Sequence, residues 1–377
     1  MAAQAGRFVV GVRPAVKLLV IGGNVFLGRH LVEEAVRRGV EVTTFNRGRQ
    51  NPGLFGEVER LHGDRNADLS ALAGRRWDAV VDTCGYTAGA VGAACAALRS
   101  EVASYVFMSS VLVYEDIERT PPDETSPLLP PDSGSRLTPA SYGAMKVACE
   151  RAVLAAFGDA ALVLRCGHLV GPYDIASRAR PDDGQLDYDA FAPRFPYWTL
   201  RAGRDGPLLA PGPADAALQV TDVRDVVRWI LDAIETGTTG IFNVATPAGR
   251  DRFCDLIDAA LASAGRSRLD ATWVRPAFLL VRGVLPMTTL PCWLPVASGL
   301  TAVDAGRAAA AGLRLRPLAD TVADVAGWAR GCPDLAVPPT SPVLTPARER
   351  ALLEEYAALP PLPDQRPSIS HNGSADR

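Results

Sequence analysis

A tyrosine and a lysine four residues apart, Tyr142 and Lys146, are the pair in this sequence best suited to moving a proton. On a helix, that spacing stacks both side chains on one face. An ammonium beside a phenol favours the phenolate, so Tyr142 can exchange a proton with a substrate hydroxyl or carbonyl. Tyr-x-x-x-Lys is common by chance, and its setting is what raises it above a surface pair. It falls on a helix near 141–157 that follows a strand ending in Phe107-Met108-Ser109-Ser110. Both then lie at the carboxyl edge of the sheet, where ligands bind in open α/β folds.

A second chemical signal is Gly22-Gly23-Asn24-Val25-Phe26-Leu27-Gly28, which joins a strand at 16–21 to a helix at 27–38. A pyrophosphate can sit at such a helix N-terminus, met by backbone N–H groups and the helix dipole. Gly22 and Gly23 permit the tight turn, Gly28 lets the helix lie against the strand, and the whole run is expected to surround a dinucleotide. Val25 stands where the middle glycine is usual, so the phosphates are expected to be crowded or shifted. The bland alternative is a plain strand-to-helix turn.

The next strand, 40–45, leads into Asn46-Arg47-Gly48-Arg49, with no carboxylate to take the ribose 2′-hydroxyl of NAD. Asn46, Arg47 and Arg49 are expected at the cofactor, with Arg47 first and Arg49 second as partners for a 2′-phosphate. That favours NADP and leaves NAD as the other option; the arginines could also be solvated loop residues. With a nicotinamide cofactor bound, Tyr142 would handle the proton while hydride moves at the ring, and Lys146 would hold the nicotinamide ribose.

The elements positioning these groups alternate as βαβ units, which implies a Rossmann-type, doubly wound parallel sheet. Further strands are expected at 79–81, 104–108 and 161–164, a helix at 88–98, and a helix and strand within 220–245. The sheet domain is expected to span 15–173 and 217–246. A smaller, mostly C-terminal substrate-binding lobe takes 174–216 and 247–335, with a tail at 1–14 and a Pro-rich flexible tail at 336–377. Pro317 opens a closing helix that runs to about Ala329. The stretch Phe278–Leu300 is broken by Arg282 and three prolines, which excludes a membrane span; it reads as a buried helix and then a lid or cleft wall.

Thr83 and Cys84 are expected against the cofactor, and Tyr86 and Val111 against the substrate. Tyr197, Trp198 and Arg201 offer aromatic faces and a cation to a sugar or its phosphate, or they simply pack the small lobe. Cys84 has no paired histidine, so nothing makes it a nucleophile.

Taken together, the chain resembles the extended and atypical short-chain dehydrogenase/reductases, in their NAD(P)-dependent epimerase/dehydratase branch. The resemblance rests on the glycine turn, on Ser109-Ser110-Val111-Leu112-Val113-Tyr114, and on Tyr142-x-x-x-Lys146. Gly63-Asp64, Val170-Gly171-Pro172, Val220-Thr221-Asp222-Val223 and Gly240–Val244 add to it, covering most of 16–330. Asn46-Arg47-Gly48 is similar to a bacterial subgroup distantly related to chloroplast stem-loop-binding proteins. The family implies Ser110 as donor to the reacting oxygen, Asp64 as an adenine contact, and dimerisation through the helices at 88–98 and 141–157. His168 replaces the asparagine that contacts the substrate diphosphate in nucleotide-sugar epimerases. It either meets a different polar substrate or is a satisfied structural histidine.

Composition narrows the classes. A net charge of −3 provides no basic field for nucleic acid. Seven dispersed cysteines without a C-x-x-C pair, and no apolar leader, fit a cytoplasmic enzyme with reduced thiols. Four histidines lack ligand spacing, so no metal is expected. The implied reaction is hydride transfer at a secondary alcohol or ketone of a sugar-like or polyhydroxylated small molecule, as reductase or as epimerase. The alternative class is a non-catalytic NADP-sensing or RNA-binding protein on the same fold.

Overall fold

The computed structural model describes residues 16–179, 186–332 and 343–360. The expected tail at 1–14 and the end of the chain lie outside them. Apolar runs without polar alternation make strands buried on both faces. In β1 (Lys17–Ile21), every residue after Lys17 is buried. There follow α1 (Phe26–Arg37), β2 (Glu41–Asn46), β3 (Glu59–His62), β4 (Trp77–Asp82), α2 (Ala88–Leu98), β5 (Val102–Ser110), α3 (Tyr142–Phe157) and β6 (Ala161–Cys166). All pair in parallel, in the spatial order 3-2-1-4-5-6. The order reverses between β1 and β4, the switch point at which such sheets bind ligands.

Beyond β6 come β7 (His168–Val170), β8 (Ile175–Ala179), β9 (Leu186–Pro193), α4 (Pro196–Ala202), β10 (Leu208–Pro211), β11 (Ala217–Leu218), β12 (Val220–Asp222) and α5 (Val223–Thr236). β13 (Gly240–Val244) then returns beside β6 as the seventh parallel strand. One face of the sheet packs on α1 and α5 through Leu31, Ala35, Val226 and Ile230. The other packs on α2 and α3 through Val91, Leu98, Cys149 and Val153. Strand β3 was not anticipated; three of its four residues are polar, it lies at the sheet edge, and only Leu61 is buried.

The remaining elements are β14 (Asp251–Arg252), α6 (Phe253–Ser263), β15 (Ala271–Val274), α7 (Pro276–Val281), α8 (Gly306–Ala310), α9 (Leu318–Arg330) and α10 (Pro346–Ala357). A separate core joins α4, α6, α9 and α10 around Trp198, Phe253, Leu256, Val322 and Leu352.

Two expectations need correction. The stretch 278–300 opens with a short, half-exposed helix rather than a buried one: Phe278 and Leu279 face the core, while Val281 is 84% exposed. The second concerns the tail, since residues 346–357 are helical. Thr345 caps α10 by accepting from the Arg348 N–H, Pro346 opens it, and Val343, Leu344 and Leu352 are buried in the lobe. Glu349 fixes the helix, accepting from Arg201 Nε at 2.5 Å and from the Leu209 N–H at 2.9 Å.

Because Arg201 and Glu349 are both buried, removing one partner strands the other charge. Glu349→Ala should destabilise the protein by about 3–5 kcal/mol in chemical denaturation. A loss below 1 kcal/mol would mean that α10 is not docked as described.

Candidate active site and dinucleotide cavity

A cavity of about 490 Å³ opens over the carboxyl ends of β1, β2 and β4. Every residue from Gly22 to Gly28 lines it, with Asn46, Arg47, Arg49, Asp64, Thr83, Cys84 and Tyr86. Gly22 and Gly23 hold φ of 109° and 96°, conformations that side chains rarely adopt. A Cβ on Gly28 would lie 2.7 Å from the Gly23 nitrogen, so only glycine lets α1 approach the turn. Val25 is the helix N-cap, with ordinary extended backbone and no side-chain capping bond. Val25 thus needs no glycine, and the strained residue of the turn is Phe26, at φ 36°. α1 has no acidic residue in its first turn, so its N-terminal N–H groups suit an anion.

Asn46 braces this turn, donating to the Gly22 carbonyl at 2.9 Å and to Asn24 Oδ1 at 3.3 Å. Asn24 donates in turn to the Gln50 carbonyl. Arg47 and Arg49 are exposed at the cavity rim. The Asn66 N–H, with Arg47 and Arg49 nearby, holds the Asp64 carboxyl below its usual range. Thr83 donates to the Ile21 carbonyl at 2.9 Å. Burial pushes the Cys84 thiol up, which keeps it protonated. These residues fit a dinucleotide: a glycine turn, a helix start without a side-chain cap, and two cations at the rim.

Lys146 lies one helical turn after Tyr142 and is almost fully buried. Its Nζ donates to the Gly85 carbonyl at 2.8 Å and the Met108 carbonyl at 2.7 Å, tying α3 to the ends of β4 and β5. The ammonium lies 5.9 Å from the Tyr142 ring centre and 5.0 Å from that of Tyr86. Ser110, two residues past Met108, is 8% exposed, and its hydroxyl accepts from the Leu112 N–H. Behind the set, Glu150 accepts from Ser109 Oγ at 2.5 Å and from Arg165 Nε and Nη2 at 3.1 and 2.8 Å. Arg165 also donates to the Tyr114 hydroxyl, which donates to Asn243.

On the lobe side, His168 Nε2 is buried without a hydrogen-bond partner among the described residues. Burial, with Arg194 adding to it, pushes this imidazole down to about 3, so it is neutral at working pH. Arg194 was not anticipated. It donates from Nε to the buried Asp174 at 2.8 Å, lines the cavity, and lies within electrostatic reach of both His168 and Tyr142. Arg65, Asn66, Gln50, Asp174 and Ile175 line the cavity as well. The sequence carries little sign of Arg65 and Asp174, because their partners, Asp82 and Arg194, lie 17 and 20 residues away.

The structure does not bring Tyr197, Trp198 and Arg201 to the cleft. All three are buried in the lobe, where Trp198 donates to the Pro291 carbonyl and stacks edge-on with Tyr197 and Phe253. The packing alternative is the one realised, because these side chains face the core that α10 completes. Val111 is likewise buried, among Val113, Ile117 and Val147. Among the described residues no helix is long and apolar enough to cross a membrane, and no cluster of three His, Cys, Asp or Glu could hold a metal.

Residues 87–245, which carry Ser110, Tyr142, Lys146 and His168, match the model of the NAD dependent epimerase/dehydratase family. The match is confined to this segment of the chain. No curated protein matches the chain. Among solved structures, the UDP-N-acetylglucosamine 4-epimerase of Bacillus cereus aligns at TM-score 0.60 and 18% identity, over 86% of this chain and 99% of that one. The Bordetella bronchiseptica enzyme WbmH in complex with NAD+ aligns at 0.61 and 16%, over 84% and 99%. The Thermus thermophilus UDP-glucose 4-epimerase in complex with NAD aligns at 0.57 and 18%, over 84% and 99%. At these identities the likeness is one of fold: the epimerase/dehydratase segment sits within a Rossmann sheet shared with all three.

Gly28→Ala tests the close approach of turn and helix. It should lower stability by about 1–3 kcal/mol and weaken NADPH binding, as read by denaturation and fluorescence titration. Unchanged values in both would contradict the tight contact.

Proposed function

We propose that this epimerase/dehydratase-family enzyme moves hydride at a secondary alcohol or ketone carbon of a sugar-like small molecule, using NADP(H). The observation that carries the reading is the position of Lys146, whose buried ammonium lies within 6 Å of the ring of Tyr142 and of the ring of Tyr86, which lines the dinucleotide cavity. The proton-transfer pair and the cofactor site are thereby neighbours. Bound nicotinamide supplies the hydride acceptor or donor.

In the oxidising direction, Tyr142 takes the hydroxyl proton as the C–H bond yields its electron pair as hydride, and in the reducing direction it returns that proton to the carbonyl oxygen. Ser110 donates a hydrogen bond to the same oxygen, stabilising charge as it develops. Lys146 orients the nicotinamide ribose. His168 and Arg194 provide a neutral imidazole and a guanidinium for polar groups of the substrate.

The family match of residues 87–245 supports an epimerase or dehydratase outcome, in which the cofactor is restored within one turnover. The names of the aligned structures point to nucleotide sugars as the first substrates to test. Arg47 and Arg49 at the rim, with no carboxylate ending β2, favour NADP(H) over NAD(H) and so support a reductase outcome with exchangeable cofactor.

Incubation with nucleotide sugars and sugar phosphates, followed by NMR of the carbinol configuration and by nicotinamide absorbance, separates the two outcomes. Tyr142→Phe and Lys146→Ala should each lower turnover by about 10²–10⁴-fold. Near-normal turnover in Tyr142→Phe would remove the proton-transfer role. Replacing Arg47 and Arg49 together by alanine should weaken NADPH binding while sparing NADH; equal loss of both would remove the 2′-phosphate assignment.

A further inference from the structure

Between Asp270 and Asp304 the chain carries no carboxylate, and its only charges there are Arg275 and Arg282. This stretch forms β15, α7 and the turn that follows. Leu280, Val281, Leu285 and Met287 all stand exposed on it, Val281 by 84% and Leu285 by 52%. The turn that presents them is fixed from within, because Val284 and Leu290 are fully buried. The Leu285 N–H donates to Thr289 Oγ1 at 3.1 Å, the Thr289 N–H to the Leu285 carbonyl at 2.9 Å, and the Met287 N–H to the Trp293 carbonyl at 3.2 Å. Met287 holds φ 59°, a strained conformation for a residue with a Cβ. The apolar side chains thus form a braced knob.

The charges around the knob are mostly positive, on a chain whose net charge is −3. Arg282 Nε donates to Glu355 of α10 at 2.8 Å, and its guanidinium lies 3.6 Å from the Phe278 ring centre, so this charge is folded back onto the lobe. Arg348 of α10 donates to the Arg282 carbonyl at 2.8 Å, next to Gly283. Arg275 lies 5.5 Å from the Tyr356 ring centre. No carboxylate pairs with Arg348 or Arg275 among the described residues. Arg350 and Glu354, also exposed on α10, offset each other.

We propose that this knob docks the protein onto an anionic lipid surface. Leu280, Val281, Leu285 and Met287 enter the headgroup boundary, and Arg275 and Arg348 meet the lipid phosphates. With six residues, α7 is too short to span a bilayer, so the contact is interfacial. Protein interfaces centre on aromatic anchors seated in pockets, whereas the groups protruding here are aliphatic. A second copy would bring the same arginines face to face across a twofold axis. Docking of this kind is independent of the hydride-transfer reading.

Sedimentation of the full chain with vesicles of phosphatidylglycerol and phosphatidylcholine in equal parts, compared with phosphatidylcholine alone, tests the proposal. Wild type should bind the mixed vesicles roughly tenfold more tightly than the neutral ones. Val281→Asp/Leu285→Asp, both at exposed positions, should lower that binding by roughly tenfold or more at an unchanged unfolding midpoint. Wild type left in the supernatant with the mixed vesicles overturns the proposal, as does equal binding to both vesicle types. A folded double variant that binds like wild type also overturns it. If that variant does not fold, Arg348→Glu decides: weaker binding to the mixed vesicles supports the proposal, and unchanged binding overturns it. A wild-type dimer in analytical ultracentrifugation that the double variant makes monomeric assigns the knob to a second copy and overturns lipid docking.

Discussion

The arrangement of the candidate active site depends on a buried ion pair, Glu150 with Arg165, whose side chains are 2% and 3% exposed. Such a pair persists in low dielectric only when its remaining hydrogen-bonding capacity is met. Here Ser109 of β5, Tyr114 just beyond it and Arg165 of β6 all converge on Glu150 of α3 or on its partner. The network thus locks together the strand that ends in Ser110 and the helix that carries Tyr142 and Lys146. Lys146 adds a second tie through the carbonyls of Gly85 and Met108. The proposed proton transfer needs donor and acceptor held within narrow limits, and these two ties fix Ser110, Tyr142 and Lys146 relative to one another.

The same logic runs along the dinucleotide cavity. Its turn is shaped by glycines where backbone meets backbone, and by the amides of Asn24 and Asn46 where loops meet. Its floor is a second buried pair, Arg65 with Asp82. On the opposite side Arg194 is pinned by Asp174, so a cation faces the cleft from the lobe. Charges lining this cavity are therefore positioned by partners deeper in the protein.

How much of this was legible in the sequence follows from how local each signal is. The glycine turn, the Tyr142–Lys146 spacing and the strands around them are short-range patterns, and they stand where the sequence places them. Arg65 and Arg194 gain meaning only beside Asp82 and Asp174, which their own local sequence does not reveal. Tyr197 and Trp198 have the chemistry of a sugar platform, yet packing turns them inward, because the lobe is closed by a helix at 346–357 that proline-rich surroundings disguised. Glu349 inside that helix is the residue that betrays the docking, through Arg201, which lies 148 residues earlier.

The central claim, that the cavity over β1 and β2 binds a nicotinamide dinucleotide, is tested most directly on the purified wild-type protein. Mass spectrometry of any nucleotide released on denaturation, with fluorescence titration by NADPH and NADH, measures occupancy and preference together. The account predicts saturable binding of one dinucleotide per chain, tighter for NADPH. Absence of binding by either, with the protein folded, would contradict it.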